Sequence, residues 1–314
     1  MKRIDFKNGT VTGNIIGAAL PMLVAQILNL LYNIVDRIYI ARIPEVGTAA
    51  LGAVGLCFPL IVIISAFANL FGSGGAPLFS IFRGKKEEQQ AIHIMNTSFS
   101  MLCFSAVILM VIGLTFAHPL LTLFGASKAA LTYAVPYMMI YLIGTLPSMI
   151  AVGMNPFINA QGYSVIGMSS VAIGAVANLL LDPLFIFAFH WGIKGAAWAT
   201  VLGQVVSGVM ILIYFWKFSK MQLTRHHLMP HMKYLGEITA LGMASGINQV
   251  AMAIIQITMN NILRKYGAVS DYGADIPIAC AGIISKVNMI FMSIGIGISQ
   301  GCQPIFGFNY GAEK

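Results

Sequence analysis

The sequence predicts an all-α polytopic membrane protein, built as a six-helix N-terminal lobe followed by the first two helices of a repeated C-terminal lobe. Three observations point there. Of 314 residues, 58% are hydrophobic and only 9% charged, with a mean hydropathy of +0.83, whereas soluble domains carry about 25% charged residues. Eight apolar stretches reach the roughly 20 residues that a crossing needs: 15–40, 51–80, 92–117, 132–160, 164–190, 194–216, 235–266 and 276–310. The chain beyond residue 234 also echoes its own beginning at a constant offset. Residues 1–216 are therefore expected to form the first transmembrane lobe, 217–234 a cytoplasmic linker, and 235–314 the start of the second lobe.

The net charge of +8 could suggest nucleic acid, but its placement argues against that partner. With an even number of spans and a cytoplasmic N-terminus, the inner segments carry Lys2, Arg3, Lys7, Arg83, Lys85, Lys86, Lys217, Lys220, Arg225, Lys233 and Lys314. The outer segments carry Arg42, Lys128, Lys194, Arg264 and Lys265. Eleven against five is the positive-inside bias. The N-terminus, MKRIDFKNGTVTGN, lacks a signal-peptide cleavage site. Cys57, Cys103, Cys280 and Cys302 lie in apolar spans without CxxC spacing, which reads as buried structural thiols and implies no metal site.

Taken in order, the first span carries Gln26, Asn29, Asn33 and Asp36 at spacings of 3, 4 and 3. That is one helix face, expected to line a water-filled cavity or a helix interface rather than lipid. Span two ends in GSGGAPLFSIFRG, whose glycines lack the spacing of a phosphate loop and read as close helix packing. Spans three and four supply His93 and His118, expected near span ends, with Tyr133, Tyr137 and Asn155. Pro156 predicts a kink.

Spans five and six form an apolar hairpin, NLLLDPLFIFAFHWGIKGAAWATVLGQVVS, over residues 178–207. A carboxylate in hydrocarbon costs roughly 2.5–3.5 kcal/mol on insertion scales, so Asp182 needs partners and reads as functional. Asn178 is one turn earlier on the same face. The turn centres near Trp191, with Asp182 nine residues before it and Thr200 nine after, so the two sit at equal depth. Gln204 and Ser207 continue Thr200's polar face. Asp36 falls in the same outer half of the bilayer, which lets the two carboxylates meet. His226, His227 and His231 in the linker have no acidic or thiol companions and read as a solvated connection.

The repeat runs at an offset of 227 residues. It pairs Asn33 with Asn260, Arg37 with Arg264, Gly74 with Gly301, Pro77 with Pro304, Phe79 with Phe306 and Gly84 with Gly311. Internal repeats are a common transporter plan, and two full copies would need roughly 450 residues, so the chain reads as shortened. Asp36 maps onto Leu263, which confines the charged site to the first copy.

At these residues the chain resembles the multidrug and toxic compound extrusion (MATE) family: YNIVDRIYIAR in span one, the NxxxDPxFIF…GxxGAAxATxxxQ hairpin, and the QPIFGFNYGA end. The resemblance covers essentially the whole chain. It implies twelve spans in two lobes, of which about eight are present, in a prokaryotic plasma membrane. It implies export of small cationic or amphipathic compounds in exchange for Na+ or H+, with no other cofactor. By position, the family's cation site falls on Asp36, Asn178, Asp182 and Thr200, while Tyr32, Tyr137 and Asn155 match polar positions near it. The neutral residue Gln249 in span seven, with Glu237 only at its start, suggests the DinF-like branch.

The expected mechanism is antiport, with Asp36 and Asp182 sharing a proton or a Na+ ion whose arrival changes the interactions of span one. Gln26, Asn29, Tyr32, Asn33, Tyr137, Asn155 and Gln204 are the further cavity-lining candidates. Lipid and helices absent from the chain are the other expected partners. A lipid-precursor flippase is the nearest alternative, and it would need several basic residues in the cavity, where the spans hold chiefly Arg37 and Lys286. An intramembrane aspartyl protease is the remote one, and its GxGD pattern is missing.

Overall fold

A computed structural model describes residues 4–7, 9–126, 128–219, 221, 231–267, 269 and 275–313; at 253, 256, 257, 260, 261, 264, 275–279, 282, 283, 285 and 286 it describes the backbone alone. The described residues form helices and connecting turns. Helix α1 runs Val11–Ala41, α2 Gly47–Gly84, α3 Glu88–Leu123, α4 Lys128–Ile143, α5 Thr145–Ala160, α6 Ser164–Pro183, α7 Gly192–Ile213, α8 Met232–Gly267 and α9 Asp275–Gly311. Single π-helical turns extend α6 through Leu184–Ala188 and α7 through Tyr214–Phe218. Thr10 caps α1 by accepting a hydrogen bond from the Gly13 amide at 3.3 Å. The 31 residues of α1 reach about 46 Å, longer than the roughly 30 Å hydrocarbon core.

Six helical segments among the described residues are long and apolar enough to cross a membrane, and the bent pair α4–α5 makes a seventh. The eighth predicted stretch, 235–266, lies within helix α8. The fourth span bends by 56° between α4 and α5, at Gly144 and not at the predicted Pro156, which lies inside α5. A β-carbon on Gly144 would stand 2.8 Å from Gln204 Oε1 and 2.9 Å from a methyl of Val201. The bend brings α4–α5 that close to α7, and glycine leaves room for it.

Close approach at glycines also assembles the N-terminal bundle. Gly72 of α2 meets the Gly153 backbone of α5, Gly203 of α7 meets α6 beside Asn178, and Gly208 of α7 meets Pro147. Phe79, Leu102, Met138, Met149 and Phe157 fill the centre of this bundle.

The last two helices pack back on the first two. Helix α9 runs along α1, with Gly297 on Leu23 and Gly301 on Ala19, while α8 runs along α2 through Gly242 against Leu70. At the α2–α9 crossing, Gly84 abuts the Phe308 carbonyl and Gly311 abuts the Ile81 carbonyl. Gly84 and Gly311, like Ile81 and Phe308, are mates in the 227-residue offset, so each copy presents the same patch to the other, as an isologous interface does.

Two further expectations change. Cys57 and Cys302 are buried, but Cys103 is half-buried and Cys280 exposed. The start of the linker is pinned rather than solvated: Tyr214 and Ser219 donate to Gln161 Oε1 at 2.9 and 2.8 Å. His93 stands near the start of α3, as expected, and packs edge-on against His231 at 4.4 Å between ring centroids. His226 and His227 lie outside the described residues, as does the side chain of Lys286.

Candidate functional site

A cavity of about 650 Å³ opens between α1, α2, the α4–α5 pair, α6, α7 and α9. All the residues singled out in the sequence line it except one: Gln26, Asn29, Tyr32, Asn33, Asp36, Tyr137, Asn155, Asn178, Thr200 and Gln204. The exception is Asp182. It is wholly buried, set behind the lining with its carboxyl group within hydrogen-bonding reach of Asp36.

That arrangement follows from local helix geometry. Asp36 stands on the last turns of α1, which packs lengthwise on α6. Asp182 is the penultimate residue of α6, just before Pro183, and Asn178 stands one turn below it. Helix α7 returns alongside, bringing Thr200 Oγ1 to 3.4 Å from Asn178 Nδ2. Thr200 in turn donates to the Ala196 carbonyl at 3.0 Å.

No described N–H or O–H group donates to Asp36 Oδ1, to either oxygen of Asp182, or to Asn178 Oδ1. Two carboxyl groups can hydrogen-bond to each other only if a proton sits between them. Two ionised carboxylates about 4 Å apart repel by about 4 kcal/mol at an effective dielectric of about 20. A proton or a small cation removes that repulsion, and Asn178 Oδ1 and Thr200 Oγ1 are neutral oxygens placed to complete a cation's shell.

The amides of the first span do not all face the cavity as free groups. Asn33 Nδ2 turns back to the Asn29 carbonyl at 2.7 Å, and Gln26 Nε2 donates to Gln300 Oε1 of α9 at 2.9 Å. Gln204 Nε2 reaches Tyr141 Oη at 3.4 Å, and Tyr141 stacks on Tyr137 at 6.3 Å.

Several lining residues escape the sequence reading: Ser65, Asn69 and Ser73 of α2, Tyr141, Asn159 and Ser170, and Gln300 and Gln303 of α9. The α2 set recurs every four residues, the signal that marked α1. Tyr141 lies one turn after Tyr137. Arg37 is the only basic residue among the described lining residues.

Comparison with known proteins follows this geometry. The family model MatE matches residues 21–184, more than half of the chain. The multidrug export protein MepA of Staphylococcus haemolyticus is 25% identical over 312 residues, covering 98% of this chain and 67% of its own length. MepA of Staphylococcus aureus is 24% identical over 297 residues, covering 94% of this chain and 64% of its own. A crystal structure of MATE in complex with MaD3S superposes with a TM-score of 0.90 at 23% identity, over 99% of this chain and 69% of that one. The chain thus spans about two thirds of the length of the relatives it matches.

Proposed function

We propose, from the premise that this chain belongs to the MatE family, that it is a secondary active transporter exporting cationic or amphipathic small molecules in exchange for H+ or Na+. One observation carries the reading. Two carboxyl groups, one of them wholly buried, face each other beside neutral oxygens at the cavity, with no donor among the described residues to Asp36 Oδ1 or to either Asp182 oxygen. Asp36 meets the cavity and Asp182 stands behind it, so an ion bound to the pair changes how α1 sits on α6. Substrate occupies the cavity that α1's polar face lines. The relatives' description as multidrug export proteins supports the substrate class. A wall whose only described basic side chain is Arg37 suits a cation better than the pyrophosphate of a lipid precursor.

In this reading residues 1–216 form the ion-coupling lobe, 217–234 the cytoplasmic connection and 235–314 the opening of the second lobe, with the N-terminus inside the cell. The exposed apolar side chains of α8 and α9, among them Ile247, Ile254, Phe291 and Phe306, face lipid or the further helices of a longer relative. The neutral Gln249 keeps the DinF-like branch as the assignment.

The test is efflux of ethidium from cells lacking their own pumps, with wild type, Asp36→Asn and Asp182→Asn at matched membrane levels, under separate Na+ and pH gradients. Loss of efflux in both variants is expected, and the gradient that drives wild type names the ion. Wild-type efflux from both variants would sink the proposal.

A further inference from the structure

The cavity wall has a second anomaly, well away from the carboxylates. Asn159 of α5 is 4% exposed, and its Oδ1 has no hydrogen-bond partner among the described residues. The amide is not simply turned the wrong way. Its Nδ2 donates to Asn155 Oδ1 at 3.1 Å and to Met22 Sδ at 3.0 Å, so flipping it would set oxygen against oxygen. Asn155 is held as firmly, donating to the Gly167 carbonyl at 2.9 Å and to Ser170 Oγ at 3.0 Å. Both amide oxygens converge on Gly167. A β-carbon there would stand 2.5 Å from Asn159 Oδ1 and 3.0 Å from Asn155 Oδ1.

This knot offers acceptors without donors. Asn159 Oδ1 accepts nothing, Asn155 Oδ1 accepts one bond, and the donors nearby are spent on one another. A water molecule would give its two protons here and receive none, where buried waters make about three bonds. A hard cation satisfies several oxygens at once. The same bias runs along the wall and just behind it: among the described residues there, the buried side-chain atoms without a partner are Asp36 Oδ1, Asn178 Oδ1, both Asp182 oxygens, Gln204 Oε1 and Asn159 Oδ1, all of them oxygens. Ser170 and Asp182 are both on α6, twelve residues apart and so separated by about 18 Å.

We propose that Asn155, Asn159, Gly167 and Ser170 form a second, uncharged station for a small monovalent metal cation, Na+, at the opposite end of the cavity from the carboxylate pair. The station rests on the transporter reading above and extends it: an ion can wait there on its way to or from Asp36 and Asp182. Having no charge of its own, it binds weakly and releases readily, as a transit site must.

The experiment is equilibrium binding of 22Na+ to the purified chain, by scintillation proximity, in four forms. Asn159→Leu is expected to lose one Na+ per chain at saturation, while the Asp36→Asn/Asp182→Asn double variant keeps that ion. Asn159→Asp, which adds a charge at the orphaned oxygen, is expected to lower the Na+ midpoint at least tenfold, a readout that does not depend on Asn159→Leu folding normally. Wild-type stoichiometry in Asn159→Leu, or an unchanged midpoint in Asn159→Asp, overturns the station and leaves a water in the knot. Loss of all Na+ from the double aspartate variant also overturns it while leaving the coupling site intact. Retention of all Na+ there, with loss in Asn159→Leu, supports the station and removes Na+ from the carboxylate pair.

Discussion

Helices α1 and α8 are the same element written twice, and the difference between them locates the chemistry. On α1 the polar face reads Gln26, Asn29, Asn33, Asp36; at the 227-residue offset α8 reads Ala253, Gln256, Asn260, Leu263. The two central amides have amide counterparts, and the acid is replaced by leucine. Helices α2 and α9 show the complementary pattern. Their glycines and prolines recur, Gly74 with Gly301, Pro77 with Pro304 and Gly84 with Gly311, and they meet through a symmetric crossing. Packing is duplicated between the copies, whereas the carboxylate is not. A buried carboxylate is costly in a membrane, so one copy carries it and the other supplies a neutral wall.

The comparison breaks most visibly at the acid. Asp36→Asn should reduce gradient-driven efflux to background, and Leu263→Asp in that variant should not restore it; recovery in the double variant would mean the copies are interchangeable. The packing half is sharpened by Gly84→Leu and Gly311→Leu. Each should destabilise the protein by at least the 1–3 kcal/mol typical of overpacking, and by similar amounts, read as matched drops in thermal midpoint in detergent. A large effect from one and none from the other would break the symmetry.

Smaller effects separate the site's parts. Asn178→Leu and Thr200→Val each remove one neutral group worth about 0.5–1.5 kcal/mol, so the coupling-ion midpoint should weaken up to about tenfold without loss of expression. Gln26→Leu removes only the bond to Gln300. It should change apparent substrate affinity a few-fold and leave the response to the ion gradient intact.

Much of this was legible in the chain because membranes make certain choices expensive. Apolar stretches marked the helices. Asp36 and Asp182 stood out because few residues are harder to place in hydrocarbon; the nine-residue symmetry about Trp191 predicts Thr200 level with Asp182, whereas the structure sets it beside Asn178, one turn below. What escaped notice was cheap. Serines within spans can bond the carbonyl one turn back, as Ser80 does to Ala76 at 2.9 Å, so Ser65, Ser73 and Ser170 raised no alarm. The bend at Gly144 was hidden because Pro156 is the louder residue, yet Gly144 lies where α7 comes close. Sequence depth placed Asp36 and Asp182 together but could not show that one lines the cavity and the other stands behind it. That distinction depends on how α1 lies across α6.

The central claim is that the carboxylate pair couples an ion to transport. Its most direct measurement is substrate efflux from proteoliposomes carrying Asp182→Asn while an imposed Na+ or pH gradient is varied. Because Asp182 is behind the lining, the cavity keeps its wall. The account predicts that substrate still binds and that efflux no longer follows either gradient. Efflux that rises with the gradient as in wild type would contradict it.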